Sequence, residues 1–124
     1  MHEFGFAQQI ADICVASAEK NNALRIKDIY IEIGDFTLIQ DEYLQFCFNI
    51  IADQTPILKG AEFHITHVPG VVRCQECGHD TVVTIDKENP LSGINIFACE
   101  ACGATNTVIV RGKEANVKNL KIEV

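Results

Sequence analysis

The chain closes on "NLKIEV", residues 119–124, and the reading of this stretch decides how the fold is divided. Leu120, Ile122 and Val124 alternate with Asn119, Lys121 and Glu123. A period of two predicts a strand with one apolar side. A lone strand has no stability in water and has to join a sheet made elsewhere. The nearest sheet lacking strands belongs to the first half of the chain. The cysteine-bearing region in between is therefore expected to be an insertion. This predicts an α/β domain made of 1–69 and 113–124, with a second domain, 70–112, inserted into it.

Working back from that end, the first half supplies suitable partners. Between Phe4 and about Lys20 the apolar residues Phe6, Ile10, Ile13 and Cys14 recur at helical spacing, with Ala7, Ala11 and Ala18 filling in. Asn21-Asn22 is expected to stop that helix. In "RIKDIYIEIGDFT" the residues Ile29, Ile31 and Ile33 alternate with Asp28, Tyr30 and Glu32, which predicts a strand ending or bending at Gly34-Asp35. "DEYLQFCFNIIADQ" reads as a second helix, with Asp41 as its expected cap and Leu44, Cys47, Phe48 and Ile51 as its buried stripe. "KGAEFHITHVPG" alternates again: Ala61, Phe63, Ile65 and His67 face one way, and Glu62, His64 and Thr66 the other. Pro69-Gly70 breaks it and marks a boundary. The predicted fold is α+β: two helices on a small antiparallel sheet, with an inserted ribbon domain. Short strands are expected in that ribbon at 71–72, 82–85, 95–98 and 107–110, and "DKENPLSG" reads as an exposed loop.

The totals narrow the function classes. A hydrophobic fraction of 48% over 124 residues is enough to build a core. No apolar run approaches the roughly 18 residues of a membrane span, and no basic-then-apolar leader follows Met1, so a cytoplasmic location is expected. The net charge is −7. Four thiolates around one Zn²⁺ would make it more negative still. Between Gly70 and Gly112 the bases Arg73, Lys87 and Arg111 are outnumbered by Glu76, Asp80, Asp86, Glu88 and Glu100. Neither balance suits a phosphate backbone or an anionic membrane. No phosphate loop, nucleophile motif or carboxylate pair with a convincing context points to an enzyme.

"CQECGH" and "CEACGA" supply Cys74, Cys77, Cys99 and Cys102, two C-x-x-C pairs with 21 residues between them. Two residues between cysteines let one tight turn aim both sulfurs at a common centre. The following glycines, Gly78 and Gly103, permit the left-handed conformation that such a knuckle needs. Four thiolates in tetrahedral array suit a structural Zn²⁺, and a domain of this size needs one, since it cannot be held by its own core. A rubredoxin-like iron site for electron transfer is one rival reading, and a zinc-ribbon adaptor that binds only protein is another. Cys14 and Cys47 fall on helix stripes and read as core residues. His79 follows the first knuckle and reads as an exposed histidine. His64 is expected to face solvent or a partner, and His67 to end the apolar side of its strand.

The opening "MHEFGF" offers a second set of metal donors. Histidine is too bulky for removal of the initiator methionine, so Met1 is expected to stay. The Met1 amine, the His2 amide nitrogen and the His2 imidazole form fused chelate rings, and Glu3 can add a further donor. Planar nitrogen sets of this kind suit Ni²⁺ or Cu²⁺ better than Zn²⁺.

"MHE", "IEIGDFT", "FCF", the two cysteine pairs and "LKIEV" occur in this order over nearly the whole chain. Together they resemble the HypA/HybF family of hydrogenase nickel-incorporation proteins. The resemblance implies a nickel metallochaperone, not an enzyme. It implies Ni²⁺ held at Met1, His2 and Glu3, with His2 essential, and Zn²⁺ held by Cys74, Cys77, Cys99 and Cys102. It places a nickel domain in the outer segments and a zinc domain in the insertion. The implied partners are the nickel GTPase HypB and the [NiFe] hydrogenase large subunit, with homodimerisation allowed. Gln40 stands where some members carry an acidic side chain, with Asp41 and Glu42 beside it.

Overall fold

Helix α1 runs from His2 to Lys20, so it starts two residues before the apolar spacing begins. Its buried residues are Ala7, Ile10, Ala11, Cys14 and Ala18. Ile13, expected on that face, is 54% exposed. At 100° per residue it lies about 120° from the midline of the stripe. It lines, with Val117, Leu120 and Ile122, an open groove of about 390 Å³. The helix ends in a Schellman motif. Asn22 takes φ 57°, its amide donates to the Glu19 carbonyl, and the Ala23 amide donates to the Ala18 carbonyl. Asparagine tolerates this left-handed position better than most residues, which is why the Asn pair stops the helix.

These features come from a computed structural model, which describes residues 2–83 and 97–124, the side chain of His2 excepted. The elements that follow α1 are β1 (Arg25–Gly34), α2 (Asp41–Gln54), β2 (Glu62–Val68), β3 (Gly70–Cys74), β4 (Asp80–Val83), β5 (Thr107–Arg111) and β6 (Ala115–Glu123). Short 3₁₀ turns occupy Asp35–Thr37 and Pro56–Leu58. The strands form two three-stranded sheets, ordered β2-β1-β6 and β4-β3-β5. The chain's last strand thus pairs with its first. The pairing is antiparallel: the Leu24 amide reaches the Glu123 carbonyl at one end, and the Gly34 amide reaches the Glu114 carbonyl at the other.

The chain divides into two compact units. The first comprises Met1–Glu32, Ile39–Thr66 and Asn116–Val124, and the second Ile33–Leu38 and His67–Ala115. In the first unit α1 packs on α2. Ile26, Ile29 and Ile31 of β1 are buried, as are Leu44, Cys47, Phe48, Ile51 and Ala52 of α2. The Phe48 ring stacks on Phe63, with centroids 3.9 Å apart. The expected cap of α2 is displaced by one residue: Gln40 occupies the cap position without a side-chain bond, and Asp41 is the first helical residue. There its carboxylate sits at the positive end of the helix dipole.

In the second unit three chain segments cross at glycines. A Cβ on Gly34 would overlap the Gly112 carbonyl, and one on Gly112 would lie 2.6 Å from the Cα of Gly70. A Cβ on Gly70 would be 2.5 Å from the Phe36 ring. The turn at 35–37 is pinned by the Thr37 hydroxyl, which donates to the Gly34 carbonyl at 2.8 Å. β3 is the centre of this unit's sheet, with Val71 opposite Val82 of β4 and Val72 opposite Thr81 and Ile109. Of the strand expected at 95–98, residues 95 and 96 lie outside the described part. Phe97 and Ala98 form a turn and a bend instead of a strand. The expected 86–93 loop is also outside it.

Candidate metal centre

Each C-x-x-C pair folds as the same small hairpin. In the first, the Cys74 amide donates to the His79 carbonyl at 2.9 Å and the Gly78 amide to the Cys74 carbonyl at 3.0 Å. In the second, the Cys99 amide donates to the Ala104 carbonyl at 2.9 Å and the Gly103 amide to the Cys99 carbonyl at 2.8 Å. Gly78 and Gly103 take φ 78° and 77°, and a Cβ on either would touch nothing within 4 Å. Glycine is needed at both for its backbone freedom, not for room.

The two hairpins bring Cys74, Cys77, Cys99 and Cys102 together, with every sulfur within 4.8 Å of the others. Cys74 Sγ is 3.6 Å from Cys102 Sγ, and Cys77 Sγ is 3.6 Å from Cys99 Sγ. A tetrahedron of sulfurs at a Zn–S distance of about 2.3 Å has edges of about 3.8 Å. The residues fit the ion. Residues outside the knuckles tie them together. The Glu100 amide donates to the buried Thr81 hydroxyl, the Gln75 amide to the Asn106 carbonyl, and the Asn106 side chain to Glu76. Thr81 and Asn106 carried no signal in the sequence. Their partners lie 19 and 30 residues away, beyond any local pattern.

The electrostatics favour thiolates at the first cysteine of each pair. The Cys102 amide acts most strongly on Cys99; against the opposing effect of burial, and with help from the Ala101 amide, it holds the thiol at about 6. The Cys77 amide, again against burial, and the Glu76 amide lower Cys74 in the same way. Cys102 receives the Ala104 amide, yet its thiol neighbour Cys74, burial, and the sulfurs of Cys77 and Cys99 push it up to about 12. Cys77 is raised as well, so the second cysteine of each C-x-x-C pair holds its proton more tightly than the first, and metal binding has to displace it.

His79 is exposed and outside this sulfur group, its Nε2 3.8 Å from a Glu100 oxygen. Cys14 and Cys47 are buried, and burial pushes the Cys14 thiol up to about 11. His67 is exposed, 3.6 Å from Asp35, and the half-buried His64 lies 2.9 Å from Asp28. Of the opening donors, Met1 and the side chain of His2 lie outside the described residues, and Glu3 is half-buried in the first turn of α1.

A family model described as "Hydrogenase/urease nickel incorporation, metallochaperone, hypA" matches residues 1–122. The chain belongs to the HypA family. Similar members include the hydrogenase maturation factor HypA of Methanothermobacter thermautotrophicus, 37% identical over 123 residues that cover 99% of this chain and 98% of that one. HypA of Desulfatibacillum aliphaticivorans is 35% identical over 98% of this chain and 87% of its own. The HypA fold is shared with the solution structure of the Ni metallochaperone HypA from Helicobacter pylori. That structure has a TM-score of 0.69 at 20% identity, over 98% of this chain and 97% of that one. Two helices with small antiparallel sheets match the HypA structures, and the family is one of nickel-incorporation metallochaperones and hydrogenase maturation factors. Among the described residues no helix is long and apolar enough to cross a membrane.

Proposed function

We propose that this chain carries Ni²⁺ at Met1-His2-Glu3 and hands it to the large subunit of a [NiFe] hydrogenase in the cytoplasm, with the nickel GTPase HypB as its working partner. The observation that carries this reading is the family match, which runs unbroken from the opening residues through the cysteine region to residue 122. The start of α1 at His2 supports it. The first amides of a helix have no intrahelical acceptor, so the nitrogens of His2 and Glu3 can bind a metal without breaking a hydrogen bond. The Met1 amine, the His2 amide and imidazole, and a donor from Glu3 make a compact chelate for a d⁸ ion. Nickel is cargo here, and the chain is a carrier, not an enzyme. Protonation of the amide nitrogen weakens the chelate and lets the ion leave.

Zn²⁺ belongs at Cys74, Cys77, Cys99 and Cys102, where it supplies charge neutralisation and a cross-link between the two hairpins. In this proposal nickel belongs to the 1–69 and 113–124 domain and zinc to the 70–112 domain. Calorimetric nickel titration of an untagged, zinc-loaded His2→Ala variant tests it. The expected result is loss of the high-affinity N-terminal nickel site with zinc content unchanged. Wild-type stoichiometry and affinity would overturn the proposal.

A further inference from the structure

The polar face of the first sheet carries metal donors that neither the N-terminus nor the cysteine hairpins use. Glu62 and His64 stand two apart on β2 and share a face, as do Asp28 and Tyr30 on neighbouring β1. Pairing of the strands puts His64 Nε2 at 2.9 Å from Asp28 Oδ1 and 3.8 Å from Glu62 Oε2. One ligand atom from each of the three lies within 4.8 Å of the other two. The His64 ring stacks on Tyr30, with centroids 4.6 Å apart and planes 15° off parallel, so its orientation is set before any ion arrives.

Charge separates this cluster from an ordinary cross-strand pair. Among the described residues, His64 is the ion-pair partner of both carboxylates, and neither has another. The Lys121 ammonium sits over the Tyr30 ring instead, 5.7 Å from its centroid. One imidazole, which can carry at most one positive charge, faces two carboxylates, so the cluster keeps a charge deficit. A dication fills that deficit. One imidazole nitrogen and two carboxylate oxygens on one side of an ion leave its other positions to water. The imidazole favours first-row ions over Mg²⁺ and Ca²⁺. His64 and Asp28 are 40% and 22% exposed, so a hydrated ion has access.

We propose that Asp28, Glu62 and His64 form a second site for Ni²⁺, weaker than the N-terminal chelate and with oxygen-rich coordination. The two sites differ in spin state: planar amide-bound Ni²⁺ is diamagnetic, whereas Ni²⁺ in a six-coordinate nitrogen–oxygen site is paramagnetic.

The test uses the full, untagged, zinc-loaded chain and Ni²⁺ alone as probe, read by calorimetry and by NMR line broadening. In H2A, one binding event is expected, with broadening centred on residues 28–30 and 62–65. In H2A/H64A it should weaken tenfold or more and the broadening should vanish. H2A/H64Q and H2A/D28N should do the same, with zinc content and the remaining spectrum reporting an intact fold. Nickel binding abolished outright in H2A, or H2A binding undiminished by H64A and D28N, overturns the proposal. Nickel binding of wild-type strength in H2A that H64A removes would instead defeat the N-terminal reading and leave this one standing.

Discussion

Gly78, Gly103 and Gly112 share a positive φ but not a reason for being glycine. At the first two a Cβ would meet empty space, whereas at Gly112 it would strike the backbone of Gly70 and Pro69. Gly78→Ala is therefore expected to cost only the left-handed penalty, about 1–2 kcal/mol. Gly112→Ala adds a collision between main chains that no rotamer change relieves, and its cost should exceed the Gly78→Ala cost clearly. Denaturant unfolding of the zinc-loaded variants checks both, and equal costs would show that the glycine crossing is not tight. The sequence offered a reason for Gly78 and Gly103, because a knuckle is local. It read Gly34 and Gly70 only as strand ends and gave no reason for Gly112, because the close neighbours that require glycine there lie far along the chain. Cys14 is a second residue-scale case. With burial holding its thiol up to about 11, it should stay unmodified by iodoacetamide at pH 8 in the native chain and react on unfolding. The raised value also fixes a sign: the stability its buried, protonated form provides is complete below the unfolded thiol's pKa of 9.0 and is lost as pH rises through about 11.

At the scale of elements, the paired hairpins explain how zinc uptake should depend on pH. Cys102, held at about 12, and Cys77, also raised, keep their protons at neutral pH until a metal displaces them. With at least two protons released, apparent zinc affinity should rise about a hundredfold per pH unit between pH 6 and 8. Competition with a chelator of known affinity measures this, and a slope near zero would mean that the sulfurs are already fully ionised. Cys74→Ser or Cys102→Ser should lose the zinc, and the wild-type holo protein should be colourless, since an iron–thiolate site is red. The helices were legible because their evidence is periodic. The α2 stripe of Leu44, Cys47, Phe48 and Ile51 is buried as the spacing predicts. Ile13 was misplaced because an apolar residue at the flank of a stripe is buried only if a neighbouring element covers it. Phe48→Ala, which removes a fully buried ring stacked on Phe63, should cost about 3–5 kcal/mol.

For the whole molecule, the two units rest on different kinds of stabilisation. The first has an apolar core drawn from both helices and β1, while several strand residues of the second remain exposed, Val82, Val108, Ile109 and Val110 among them. Metal removal should therefore act unevenly. Strong chelation is expected to abolish the dispersed NMR signals of 70–83 and 99–111 while the circular dichroism of α1 and α2 persists. Loss of the helices together with the ribbon would mean that the first unit cannot stand without the second. By itself the sequence determined the parts whose physics is local: the helical stripes, the alternating strands, the cysteine knuckles with their glycines, and the return of the last strand to the first half. Only the tertiary structure decided what meets across the chain. The 33–38 segment goes with the ribbon because Gly34 and Phe36 can pack only where Gly70 and Gly112 leave room. Asp28 and His64 could each be read as facing outward, but only the pairing of β1 with β2 sets them 2.9 Å apart. The physical reason is the same in both cases: a strand's own residues say which side points out, and the register against its neighbour says what that side touches.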